Sequence, residues 1–173
     1  MTHSWTPTIS ARGFSLVEVT IASLIVGVLM TASMSVVAAS VRSRAAVRNT
    51  SLAHALAEQL LAEISAQSYA DEADSGLLGP ETGEEGTNRL AFDDVDDYAD
   101  SLEKPAVQRD GSPVAGDAVY YRSAEVVWID PTTMQTSGSD TGIKRITVRV
   151  SRNDKLLVSL ATLRTRSWED TTP

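Results

Sequence analysis

A chain of 173 residues, 42% hydrophobic and 22% charged, has room for one modest domain or for a long element plus a small domain. With no cysteine and only His3 and His54 as histidines, it excludes disulfide frameworks, thiol catalysis, Cys-ligated metals and multi-histidine sites. Its net charge of −8 excludes binding to nucleic acid by bulk charge, so no nucleic-acid partner is expected. In chain order, the first element is an apolar run. Residues 16–41 carry one ionisable side chain, Glu18, over more than the ~20 residues a helix needs to cross hydrocarbon. No proline occurs between Pro7 and Pro80, so nothing forces a helix to stop there. Past the run the pattern turns one-sided. Leu52, Leu56, Leu60 and Ile64 recur every four residues, among Glu58, Gln59 and Glu63. The spacing predicts one helix over about 14–68, with an apolar part at 14–42 and an amphipathic part at 43–68. His54 falls on its polar side.

Residues 69–118 read as a loop region punctuated by Gly76, Gly79, Pro80, Gly83, Gly86, Pro105, Gly111, Pro113 and Gly116. The acidity of the chain is concentrated there. Residues 71–103 hold twelve carboxylates and one base, Arg89. Strand signals follow over 119–173. Residues 119–129 are β-branched and aromatic and end at Asp130-Pro131. Ile146, Val148 and Val150 then alternate with polar residues. Arg152-Asn153-Asp154-Lys155 reads as a turn, and 156–164 as the returning strand. The expected class is α+β: a long amino-terminal helix packed on an antiparallel meander of about three strands, with residues 106–117 as a further candidate edge. Tyr120 and Trp128 share one face of the first strand and are expected in the core.

The segment Arg12-Gly13-Phe14-Ser15-Leu16-Val17-Glu18-Val19-Thr20-Ile21 opens the apolar run. It resembles the class III leader of type IV pilins and type II secretion pseudopilins. The resemblance implies a leader at 1–13, cut after Gly13 by a membrane prepilin peptidase and methyltransferase, with Phe14 as the N-methylated mature terminus. Glu18 then stands at the fifth mature position, where the family keeps a glutamate that pairs with the terminus of a neighbouring subunit. The fold implied is pilin-like. The function implied is that of a structural subunit with no catalysis of its own and no required cofactor. Other pilin or pseudopilin subunits and the bacterial inner membrane are the implied partners, with the globular part outside the cytoplasm. The absence of proline from the apolar helix leans toward a minor subunit.

Physical chemistry singles out Glu18 independently, because a carboxylate in a membrane span costs several kcal/mol unless protonated or paired. The alternative is a glutamate that snorkels to the headgroups. Two features oppose the resemblance. Arg42, Arg44 and Arg48 follow the run and only Arg12 precedes it, which by charge alone places the globular part in the cytoplasm. Ala38-Ala39-Ser40 also looks like an ordinary secretory cleavage site. A second candidate site is Asp93, Asp94, Asp96 and Asp97, whose close spacing suits a hard cation such as Ca²⁺, although the spacing is not that of an EF-hand. Its alternative is a solvated acidic loop. The competing functions are a minor pilin for adhesion or DNA uptake, and a single-span membrane protein with a calcium-binding outer domain.

Overall fold

The computed structural model describes residues 13–70, 76–84, 86, 88–114 and 120–167. Residues 1–12 of the expected leader lie outside the described residues, as do Asp71, Glu72, Asp74 and Glu85 of the acidic segment. The helix α1 runs Leu16–Ser65. The chain divides into two units, Met1–Ala46 and Val47–Pro173.

In the first unit, every described residue is exposed, Val17, Ile21, Leu24, Leu29, Met34 and Val41 included. The hydroxyls on this stretch bond back to their own helix. Thr20 donates to the Val17 carbonyl (2.8 Å), Ser23 to Val19 (2.7 Å), Ser33 to Leu29 (2.8 Å) and Ser35 to Ala32 (2.7 Å). Each of these hydroxyls thus finds an acceptor on its own helix without water, as hydrocarbon surroundings would require.

In the second unit the helix is one-sided, and Ala53, Leu56, Ala57, Leu60 and Ile64 are buried. Leu52, expected on the buried stripe, is exposed, and Ala53 takes its place. A four-residue step advances about 40° beyond a full turn, so three such steps carry Leu52 about 120° away from Ile64. The helix ends where Ser68 bridges Asp94: the Ser68 N–H donates to the Asp93 carbonyl (3.3 Å) and the Val95 N–H to the Ser68 carbonyl (3.1 Å).

Among the described residues the sheet has four antiparallel strands, β1 (Ser101–Glu103), β2 (Tyr120–Trp128), β3 (Ile143–Arg152) and β4 (Lys155–Thr165), in spatial order of sequence. The expected meander is β2–β4. The extra edge comes from β1; among the described residues of the expected edge 106–117, Val107 and Pro113 form an isolated bridge, and residues 115–117 lie outside the described residues. Arg152 faces Lys155 across a two-residue loop, and Asn153 and Asp154 both have positive φ (50° and 59°). That is the primed turn whose twist matches a hairpin. The inner faces of β2 and β3 (Ala124, Val126, Ile146, Val148, Val150) meet the helix stripe together with Phe92, Val95 and Tyr98 from the loops. Tyr120 is buried in this core, whereas Trp128 is half-buried.

Candidate functional site

At the start of the helix, Gly13 and Phe14 precede the first turn. Phe14 is 81% exposed, and Glu18 stands in that turn, also exposed. A carboxylate there complements the unpaired N–H groups and positive end of the helix dipole. Phe14, Glu18, Ala22, Ser23 and Gly27 line one shallow depression, and Ser15, Ile21 and Ile25 line a second that also touches Glu18. Glu18 is thus a lone carboxylate between two apolar concavities. A residue of this kind can fix the register of an approaching helix through one charge, and the small residues beside it permit close contact.

The acidic segment is used differently along its length. Asp94 Oδ1 accepts the N–H groups of Asp96 (2.6 Å) and Asp97 (3.2 Å), while Asp97 Oδ2 accepts those of Asp93 (3.0 Å) and Asp94 (3.2 Å). These bonds wind the short 3-10 helix Asp96–Tyr98. Asp96 instead pairs with the buried Lys144 (2.6 Å), which also donates to the Tyr69 carbonyl and lies 4.0 Å from the Tyr69 ring centroid. Asp93 is exposed, whereas Asp94, Asp96 and Asp97 are buried. The carboxylate oxygens brought within 4.8 Å of one another are those of Glu81, Glu84 and Asp97. Asp97 is therefore the one member of the expected cluster that joins such a group. Sequence reasoning missed Glu81 and Glu84; the available signal was the glycine of the turn between them, Gly83 (φ 108°).

A second charged network is internal. Arg89 Nε donates to Glu63 Oε1 (2.8 Å) and its Nη1 to Glu103 Oε1 (2.5 Å), while Arg122 Nε donates to Glu103 Oε2 (2.8 Å). Both arginines also reach the Val107 carbonyl. Tyr98 donates to Glu63 (3.1 Å), and its hydroxyl pKa is pushed up to about 12, first by burial and then by the neighbouring Glu63 charge. This network ties α1, β1 and β2 together. His54 is exposed and lies 3.3 Å from Glu58 one turn on, as its polar-side position predicts.

No curated protein and no solved structure matches the chain. Residues 10–34 match the family model described as the prokaryotic N-terminal methylation motif. That motif implies processing by a prepilin peptidase and assembly with other pilin subunits, and with the apolar helix it is consistent with anchoring in the inner membrane. The motif's family is structural rather than enzymatic. Over the matched residues, which include Gly13, Phe14 and Glu18, the chain is thus similar to the prepilin-type leader and helix start of type IV pilins and pseudopilins.

Proposed function

We propose that this chain is a minor structural subunit of a type II secretion pseudopilus or a type IV pilus. It is cut after Gly13, methylated at Phe14, and held in the inner membrane by residues 14–42, with its globular part on the periplasmic side. The observation that carries the reading is Glu18: a single carboxylate, four positions beyond the new amine, on a helical stretch through residue 46 whose apolar side chains are all exposed. In lipid or in a filament, this charge is offset when the amino terminus of a neighbouring subunit meets it. Correct stagger is then selected, because only one register pairs both charges. The unbroken Leu16–Ser65 helix, without proline, supports a minor subunit.

Two measurements test this. The intact mass of protein purified from membranes is expected to correspond to a chain that begins at Phe14 and carries one methyl group. An intact Met1 or a terminus near Ala39 overturns the reading in favour of a plain membrane anchor or a secreted protein. Glu18→Ala is expected to leave processing intact and to reduce incorporation into filaments at least about tenfold, since the partner amine is left unpaired. Incorporation at the unaltered level removes the pairing role.

A further inference from the structure

The group formed by Glu81, Glu84 and Asp97 is built from two separate pieces of backbone. In the first piece, the Glu84 N–H donates to the Glu81 carbonyl (3.1 Å), and the Glu81 N–H donates back to Glu84 Oε2 (3.2 Å). This closed turn, with Gly83 at φ 108°, sets both glutamates close together. It is moored upstream: the Gly79 N–H donates to the Asp96 carbonyl (3.1 Å), and Leu78 packs on the core. The second piece is the 3-10 helix that carries Asp97. One oxygen of that side chain accepts two backbone N–H groups. The other, Oδ1, is buried and has no hydrogen-bond partner, although the residue is only 1% exposed. A buried carboxylate oxygen left without a donor is costly, and here two more carboxylates converge on it instead of a base. Arg89, which lines one depression with Asp97, is committed to Glu63 and Glu103, and Lys144 is committed to Asp96.

We propose that Glu81, Glu84 and the orphaned Oδ1 of Asp97 form a binding site for a hard divalent cation, Ca²⁺ in the first place. All three ligands are oxygens. Two oxygens on one Ca²⁺ stand at most about 5 Å apart, at bond lengths of about 2.3–2.6 Å, and these carboxylates lie within 4.8 Å of one another. Mg²⁺ holds its ligands closer and in a stricter octahedron, which suits this spread less well. Glu81 and Glu84 are half-buried, so water completes the shell and the ion enters from their side. Burial pushes the Asp97 carboxyl up to about 7, with the like charges of Asp94 and Glu84 adding to it, and the bond shared with Glu84 raises Glu81 as well. A bound cation would staple the 81–84 turn to the 3-10 helix, pinning the loop that joins α1 to β1.

The test uses the full chain, purified in detergent and stripped of metal with a chelator. Calorimetric titration with Ca²⁺ is expected to give one site per chain, and Mg²⁺ to bind at least about tenfold more weakly. Ca²⁺ is also expected to raise the unfolding midpoint and to slow proteolytic cleavage within residues 76–92. The doubly neutralised E81Q/E84Q chain leaves the buried Asp97 cap in place and so keeps the fold; its Ca²⁺ affinity is expected to fall at least about tenfold. Glu125→Gln, at an exposed pair with Arg149, is expected to bind as the unaltered chain does. Equal midpoints and equal cleavage in Ca²⁺ and in chelator overturn the proposal. Undiminished binding by E81Q/E84Q does so as well, since the ion is then held by diffuse surface charge only.

Discussion

The two units of this molecule invert each other. Between Gly13 and Ala46 the apolar side chains are outside and satisfied hydroxyls are the chief polar feature. Beyond Val47 the chain buries Arg89, Arg122, Lys144, Asp96 and Glu103 in its interior. Water punishes both arrangements unless something else intervenes. For the first unit it is a different medium, lipid or packed helices, where exposed Leu and Val are the favourable choice and even a hydroxyl must find its own carbonyl. For the second it is partner geometry: every buried charge just named meets an opposite charge within 2.5–2.8 Å. The first unit is therefore specified by its surroundings and the second by itself. Single substitutions should behave accordingly.

The largest effect is expected where the second unit depends on pairing. Glu103→Ala leaves Arg89 and Arg122 facing each other's neighbourhood with one shared partner gone, both fully desolvated. Breaking such a buried pair costs about 3–5 kcal/mol. Urea unfolding of the detergent-solubilised protein measures it. A loss below about 1 kcal/mol would mean that water reaches these guanidinium groups and that the two units are less opposed than described. Next comes a matched pair of truncations. Leu60→Ala opens a cavity under the sheet and is expected to cost about 2–5 kcal/mol, whereas Leu29→Ala removes an exposed side chain of the first unit and should leave unfolding of the globular part unchanged within about 0.5 kcal/mol. Equal losses at the two positions would erase the distinction.

The same contrast explains what could be read from the sequence. The helix, the three long strands and the hairpin at Asn153-Asp154 were legible because each repeats a short period or uses a turn that demands particular φ values. The motif over residues 12–21 was legible through its resemblance to prepilin-type leaders, which the match over residues 10–34 supports, and Glu18 stood out as the one ionisable group of a long apolar run. The short strand β1 was not, since Ser101–Glu103 has too few residues to show a period. Arg122 breaks the apolar alternation of β2 and looks outward-facing on pattern alone; its partner Glu103 is nineteen positions away. For the run Asp93–Asp97, close spacing suggested a shared purpose. Instead the backbone assigns Asp94 and Asp97 to caps, and Lys144, 48 positions distant, claims Asp96. Pairing over such separations is a product of topology, and no local pattern encodes it. Gly83 signals the turn that brings Glu81 and Glu84 together, but their meeting with Asp97 is likewise set by topology.

The smallest effect concerns charges of the second unit that remain in water. Asp130 caps the turn after β2: its Oδ1 accepts the N–H groups of Thr133 (2.7 Å) and Thr132 (2.9 Å) and the Thr133 hydroxyl (3.0 Å). These donors, Thr133 first, hold its carboxyl below the usual carboxylate range. A group depressed in the folded state binds its proton more readily once unfolded. Its contribution is therefore present at neutral pH and is lost as acid takes the solution through the folded-state value. Because the side chain is still partly open to water, solvent screens the gain, and Asp130→Ala should lower the unfolding midpoint only slightly near neutrality. The difference between variant and parent should shrink further as the pH falls through the acid range. A gap at Asp130 that is as wide as that at Glu103, or that grows in acid, would show that the exposed turn and the buried network do not differ in kind, and that charge burial is not what sets the second unit apart.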